Sequence, residues 1–406
     1  PGKYCRLVLW GYSMPQLAHA LHGMGNRILQ QTPPAQIRAF DQEISAVPEL
    51  VKLTLGEPGF DVPTHIKQAA IQSIHDNDSH YAAAAGKLPL RQAIATNLKQ
   101  RYGVDYQPDG EVVVTNGATE ALTASLLSLL NPGDKVIIPT PGYALYQPLV
   151  AYTGAQPVEV NTRADGFVLT PEKLAAVIEA NAPVKALLLN FPVNPTGRTY
   201  QQAELAALAA VAKQYHLLVL ADEIYGDLTY DHRHYSMVEA LPEQTVLISG
   251  LSKSHAMTGW RIGYLAGPAA LVQQIAKMHS FLVTCINDTA QAAALEAIEN
   301  GQDDPVKFRR EYEHRRNLMI EALTAAGFEM ATPEGAFYLF AKIPAQYGDD
   351  DFAFARVLAK QARVGVIPGS VFGPGGEGYV RLSYAADEAD IKVAMARIQV
   401  FMAAQN

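Results

Sequence analysis

A three-layer αβα domain with a mostly parallel sheet, followed by a smaller α+β domain, is the fold this sequence predicts. Two observations predict it. From about residue 110 to residue 290, short apolar runs alternate with longer helical stretches, the rhythm of strand–helix units that build a parallel sheet. After about residue 300 the rhythm stops, and a charged helix, short strands and a terminal helix come next.

The expected strands of the first part are Glu111–Thr115, Lys135–Pro139, Ala186–Phe191, Leu217–Ala221, Val246–Ile248 and Ile262–Ala266. Several are apolar throughout, as strands covered on both faces are. Helices are expected over Glu120–Leu130, Gln202–Tyr215 and Leu271–Val283. In the second part, Pro305–Ala325 reads as a charged helix whose arginines (Arg309, Arg310, Arg315, Arg316) lie on a solvated face. Strands are expected at Phe337–Ile343 and Tyr379–Ser383, then a helix from Asp387.

With 406 residues there is room for two domains. Residues 1–23 read as an upstream extension or a remnant of cloning, with a natural start near Met24. Residues 24–60 are expected to pack with the small domain, residues 61–300 to form the large domain, and residues 301–406 the small one. The apolar part of the opening stretch is too short for a signal peptide, and no apolar run is long enough to span a bilayer.

A net charge of −8 argues against nonspecific nucleic-acid binding, which needs a basic surface. Two cysteines, Cys5 and Cys285, imply neither a disulfide framework nor a cysteine metal cluster. A cytoplasmic location is the default for such a chain, and no metal site is expected.

Ligands of open α/β sheets bind beyond the carboxyl ends of the strands, so the residues there carry the chemistry. The first strand leads into Asn116-Gly117-Ala118-Thr119, small residues at a helix start that let backbone N–H groups approach a phosphate. The next leads to Tyr143, able to stack on a flat heterocycle. Asn194 comes after the third, in a loop stiffened by two prolines. Asp222 ends the fourth, where a carboxylate is costly without a cationic partner, or serves as an ordinary helix cap. Tyr225 lies three residues on.

Lys253 comes after the fifth strand, beside Ser252 and eight residues before Arg261. An amine near other cations suits a Schiff-base lysine next to a phosphate. A P-loop would need glycine at 247 and 252, which are Leu247 and Ser252. The Ser-x-x-Lys motif would need serine at Gly250. Arg381, in the apolar strand of the small domain, needs an anion, either a substrate carboxylate or an internal salt bridge.

Each piece alone is ambiguous, but their order is specific. The strings Asn194-Pro-Thr-Gly, Asp222-Glu-Ile-Tyr and Ser252-Lys-Ser-His-Ala-Met-Thr-Gly-Trp-Arg-Ile-Gly together resemble the class I/II aminotransferases of pyridoxal-phosphate fold type I, in the aspartate/aromatic branch. The resemblance covers about residues 24 to 403, and is nearest to bacterial aromatic or N-acetyl-diaminopimelate aminotransferases.

It implies pyridoxal 5′-phosphate held by Lys253 in Schiff-base linkage, with the same lysine shuttling the proton. It further implies Asp222 at the pyridine nitrogen, Asn194 and Tyr225 at the ring hydroxyl, and Tyr143 stacked on the ring. Gly117, Ala118, Thr119, Ser252 and Arg261 would hold the phosphate. Arg381 would bind the substrate α-carboxylate, with Gly56 and Asn194 beside it. Tyr81 would reach the phosphate of a second subunit, making a homodimer with shared sites. Many relatives have serine where this chain has Gly250, which moves the phosphate contact to Ser252 or Ser249. Relatives often have Tyr-Thr-Pro where Tyr81-Ala-Ala stands, so the loop shape is open.

The implied activity is ping-pong transfer of an amino group from an L-amino acid to a 2-oxo acid such as 2-oxoglutarate. Ile37, Phe40, Tyr143 and Phe337 as apolar lining favour an aromatic donor. Alternatives are an aspartate aminotransferase, an N-acetyl-diaminopimelate aminotransferase, for which Arg38 beside Ile37 is either a polar anchor or, as the commoner case, a surface arginine, and a C–S β-lyase on the same scaffold. A regulator carrying a DNA-binding domain has neither the room nor the basic charge at this N-terminus.

Overall fold

The computed structural model describes residues 16–405. Residues 1–15, most of the expected 1–23 extension, lie outside them. The chain forms two units, divided between Pro34 and Ala35. In the first, Asn26 caps a short helix, Arg27–Gln31, its side-chain oxygen accepting from the N–H of Ile28 at 2.9 Å and of Leu29 at 3.2 Å. That helix buries none of its residues.

The second unit contains twelve strands: β1 (Val51–Lys52), β2 (Val112–Thr115), β3 (Lys135–Thr140), β4 (Gln156–Asn161), β5 (Ala186–Asn190), β6 (Leu218–Asp222), β7 (Thr245–Gly250), β8 (Gly263–Ala266), β9 (Tyr338–Lys342), β10 (Val364–Gly365), β11 (Ile367–Pro368) and β12 (Tyr379–Ser383). Strands β2 to β8 make one sheet in the order β2-β8-β7-β6-β5-β3-β4. Neighbours among β3 to β7 run parallel, and β8 runs antiparallel to both of its neighbours.

The unbroken apolar runs result from helices on both faces. Leu188 and Leu220 pack with Leu122 of helix Gly117–Leu129 and Val272 of helix Ala269–Val283. Leu187, Leu189 and Val219 point the other way, into a core with Leu174 of helix Pro171–Asn181 and Leu205 and Leu208 of helix Gln202–Gln214. Strand β4 was not anticipated. It is an edge strand carrying Pro157 and three exposed positions, so its sequence lacks the apolar run of the central strands.

The later strands form a three-stranded antiparallel sheet in the order β11-β12-β9, in which Arg381 stands opposite Phe340 on one side and Ile367 on the other. Strand β1 pairs in parallel with β10, Val51 opposite Val364. Phe40 meets Phe352 edge-on at 5.5 Å, and Arg356 pairs with Glu43 at 2.6 Å. Residues 40–53 are thereby bound to the C-terminal part of the chain. The core they share also takes in Phe167, Tyr225 and Leu228 from the first part.

The charged helix, Asp304–Ala325, corrects one expectation. Arg315 and Arg316 are not on a solvated face; they are 6% and 5% exposed. Arg315 donates to the Ala386 carbonyl at 2.7 Å and to Glu311 at 2.9 Å. Arg316 donates to the Pro333 carbonyl at 2.9 Å and to Asp231 at 3.1 Å. Carbonyls of loops buried against the helix need donors, and the guanidinium forks supply them.

Phe340 is the hinge of this packing. It stacks on Tyr379 at 4.9 Å and meets Phe167 and Phe372 edge-on. Phe340→Ala is expected to lose about 3–5 kcal/mol of stability, read as a lower thermal midpoint with unchanged helix content by circular dichroism. An unchanged midpoint would mean that the two parts do not share this core.

Candidate active site

Strands β3, β5, β6 and β7 end at Thr140, Asn190, Asp222 and Gly250. Asn190 is the register partner of Asp222, and Asp222 of Ile248. The residues just beyond these ends are therefore delivered to one rim of the sheet.

Asp222 is 3% exposed. Its Oδ2 accepts from the Tyr146 hydroxyl at 2.7 Å, and its Oδ1 from the Ile224 N–H at 3.3 Å. The helix-cap alternative is not realised: the next helical turn, Gly226–Leu228, has Tyr225 at its cap position and no side-chain cap bond, and the Ile224 contact lies in the turn before it. Burial pushes the carboxyl up to about 6, against the pull of these bonds and of Lys253. No cation pairs with it within 4 Å among the described residues. Such a group stabilises any N–H cation placed against it.

Tyr146 escaped the sequence reading. The only signal was its place three residues after Tyr143, on the same turn. Tyr143 is half-buried and meets Tyr146 edge-on at 5.5 Å. The Asn190 side chain donates to the Asp222 carbonyl at 2.9 Å and accepts from the Asn194 N–H at 3.1 Å, anchoring the Asn194 loop to the end of β6.

Lys253 stands three residues past β7. Its Nζ donates to the Gly56 carbonyl at 2.5 Å and lies 5.8 Å from the ring centres of Tyr225 and Phe337. Burial lowers the amine to about 8; Arg381 and Arg261 add to this, and Glu57 and Asp222 oppose it. A lysine tuned this way is partly neutral near physiological pH and able to act as a nucleophile or base. The Tyr225 hydroxyl shares a hydrogen bond with that of Tyr338 at 2.9 Å, and Tyr338 is a second residue missed in the sequence.

Arg381 is 2% exposed and makes no internal salt bridge among the described residues. Its Nη1 donates to Asn194 Oδ1 at 2.9 Å and its Nη2 to the Thr54 carbonyl at 2.8 Å. Its Nε is buried without a partner, and the guanidinium lies 4.3 Å from the centre of the Tyr338 ring. Neutral oxygens and a π face leave the positive charge uncompensated, which suits an anionic ligand.

At the start of helix Gly117–Leu129 the backbone is crowded. Gly117 has φ +74°, and a Cβ there would stand 2.6 Å from Arg261 Nη2. A Cβ on Gly263 would stand 2.7 Å from the Ala118 nitrogen. Only glycine lets the guanidinium, the helix N-terminus and β8 come this close. Together they make a positive cradle over Gly117, Ala118 and Thr119. Ser252 is buried nearby in sequence, whereas the Ser249 hydroxyl turns to the Glu223 carbonyl at 3.5 Å.

Tyr81 is not brought to this cluster through any side-chain hydrogen bond among the described residues, and is 87% exposed. Phe337 is fully buried, edge-on to Tyr225 at 5.5 Å, and Phe40 is turned onto Phe352. Arg38 is exposed on helix Gln36–Ile44 and makes no ion pair within 4 Å among the described residues. Burial and Asp222 push the Tyr143 phenol up, and the charges of Arg38, Arg381 and Arg261 pull it back.

The family model for aminotransferase class I and II matches residues 48–398. A Bacillus subtilis (strain 168) protein described as probable N-acetyl-LL-diaminopimelate aminotransferase is 40% identical over 366 residues, 90% of this chain and 92% of that one. Aromatic-amino-acid aminotransferase 2 of Thermococcus litoralis is 35% identical, over 91% of this chain and 96% of that one. The solved aspartate aminotransferase of Thermus thermophilus with maleate superposes with a TM-score of 0.88 at 36% identity, covering 93% of this chain and 99% of that one.

The raised carboxyl at Asp222 has a measurable sign. Its folded value lies above its unfolded value of 3.8, so its contribution is whole below that pH and is lost as pH rises through about 6. In protein stripped of bound small molecules, Asp222→Asn is expected to be more stable than the parent at pH 7 by up to about 3 kcal/mol. The gain should vanish near pH 3.5 in thermal unfolding. Equal midpoints at pH 7 would show that the carboxylate is already satisfied.

Proposed function

The chain belongs to the class I and II aminotransferases, and from that premise we propose that its amino donor is an L-amino acid whose side chain ends in an acid group, with 2-oxoglutarate as acceptor. The family depends on pyridoxal 5′-phosphate, and this chain is such an enzyme. The residues fit that cofactor. A buried carboxyl raised to about 6 at Asp222 suits a ring N–H cation. The glycine-lined cradle with Arg261 suits a phosphate, and the Lys253 amine, lowered to about 8 by burial, suits an aldehyde.

Bound pyridoxal 5′-phosphate supplies an electron sink joined to the substrate's amine-bearing carbon. The protein's residues do the rest. Asp222 holds the proton on the ring nitrogen, and Tyr146 fixes that carboxylate by donating to it. Lys253 Nζ takes the substrate's α-proton and returns it. Arg381 clamps the α-carboxylate, oriented by Asn194 and by the Thr54 carbonyl. Tyr143 would cover the ring, and Tyr225, braced by Tyr338, would donate toward the ring oxygen.

Arg38 carries the choice of donor. Of the guanidiniums whose charges lower the Tyr143 phenol, Arg381 and Arg261 are assigned here to the α-carboxylate and the phosphate, and Arg38 is left over, exposed and without an ion pair among the described residues. Of the expected apolar lining residues, Phe40 is turned onto Phe352, whereas the Phe337 ring centre stays 5.8 Å from Lys253 Nζ. N-acetyl-diaminopimelate and aspartate, named in two of the relatives, both end in a distal carboxylate, while a third relative is named for aromatic amino acids. A charge-assisted bond to it is worth about 1.5–3 kcal/mol, or roughly tenfold or more in discrimination.

The donor test uses cofactor-loaded protein mixed with one amino acid at a time, with the cofactor absorbance as readout. Acyl-diaminopimelate or aspartate should convert it, with reversal by 2-oxoglutarate. Arg38→Gln should lower kcat/KM for these acids about tenfold and leave phenylalanine unchanged. Conversion by phenylalanine or tyrosine alone would restore the aromatic reading, and turnover by Lys253→Ala would refute the lysine's role.

The same reading makes the protein a homodimer in which Tyr81 reaches the partner's phosphate. Its support is a set of large apolar side chains left in solvent, among them Ile71, Ile74, Tyr81 and Phe281, the last 72% exposed. The Tyr81 loop is tied to the helix bearing Phe281, since the Ala84 carbonyl bonds to His279 at 2.7 Å. Phe281→Glu is expected to give monomers of low activity in sedimentation and assay. A monomeric parent protein would defeat this assignment.

A further inference from the structure

Behind the turn that carries Lys253 lies a second concavity of about 350 Å³. Its walls are helix Leu88–Tyr102, the residues after Tyr225, the start of the Lys253 turn, and the junction of helices Asp288–Asn300 and Asp304–Ala325. None of Lys253, Asp222, Asn194, Tyr225, Arg261 or Arg381 lines it. Neither do the exposed apolar residues assigned to the dimer face. Its volume is within the range of small-molecule sites, about 300–1,000 Å³.

The charges on its walls do not cancel. Arg101 is neutralised by Asp227 at 2.7 Å. Arg233 is held in a fork by Glu239, at 3.0 and 2.8 Å. Arg309 has neither an ion pair nor a side-chain hydrogen bond among the described residues. Beside these charges the wall is apolar, formed by Leu251, Ala297, Ile298 and Val306, with amides of Asn97 and Gln100 at the polar end. One spare cation above an apolar floor matches a ligand with one negative charge and an apolar body.

We propose that this groove is a second ligand site, taking a small monocarboxylic acid with an apolar body, its carboxylate on Arg309. The site is coupled to the lysine. Gly250 and Leu251 are at once the groove's floor and the residues leading into Ser252-Lys253, and Gly226 comes directly after Tyr225. Just before the turn the backbone of β7 lies tight against β8, since a Cβ on Gly250 would stand 2.8 Å from Gly263 Cα. A ligand pressing on Leu251 is therefore felt at Lys253, and the coupling must be reciprocal.

Calorimetric titration of the cofactor-loaded enzyme with phenylacetate is the test, in the absence and presence of saturating maleate. Two sites per chain are expected, one removed by maleate and one not. The maleate-resistant site should weaken about tenfold in Arg309→Gln and disappear in Asn97→Trp, both checked for intact folding by circular dichroism. Occupying it should change kcat of the parent but not of Arg309→Gln. A single, maleate-sensitive site would overturn the proposal, as would a resistant site untouched by either substitution. The outcome is independent of which amino donor the enzyme prefers.

Discussion

Three charges gathered without mutual pairing are the condition on which the rest of this structure rests. Asp222, Lys253 and Arg381 stand at one rim of the sheet, and each is held by neutral groups: the Tyr146 hydroxyl, the Gly56 carbonyl, and the Asn194 and Thr54 oxygens. Burying charge this way is costly. It persists because the surrounding framework is rigid and because a bound ligand supplies the missing counter-charges. The displaced ionisations of Asp222 and Lys253 have the same origin, since each is moved toward neutrality by burial.

The framework behind the rim is itself polar and bonded around Glu223. Glu223, next to Asp222, is locked by His234 at 2.7 Å, by the Ser236 hydroxyl at 2.8 Å and by the Met237 N–H at 3.0 Å. His234 stacks on Phe191, at the head of the Asn194 loop. The carboxylate beside Asp222 is thus spent on architecture, leaving Asp222 the one free for a ligand. Three bonds converging on one buried carboxylate fix its geometry.

Strand ends carried most of the legible signal. Apolar runs marked β2, β3, β5, β6 and β7 because helices cover both faces, and the chemistry-bearing residues stand directly after those runs. The elements that stayed hidden lacked a local pattern. Strand β4 is an edge with polar outward positions. Tyr146 and Tyr338 look like ordinary core tyrosines until Asp222 and Tyr225 are placed beside them. Arg315 and Arg316 read as surface charge because the loop carbonyls they serve come from distant segments. Phe40 reads as ligand lining only while Phe352 is out of sight.

The pairing of β1 with β10 has a consequence for how the protein is made. Val51 and Val364 are register partners, separated by 364 − 51 = 313 residues. At about 5–20 residues per second, a ribosome needs roughly 15–60 seconds to deliver the second after the first. The large sheet can close during that interval. Phe40, Ile44 and Leu53, all buried in the finished protein, have no C-terminal core to enter until it ends. The nascent chain therefore carries an exposed apolar leader for most of its synthesis, a natural handle for chaperones.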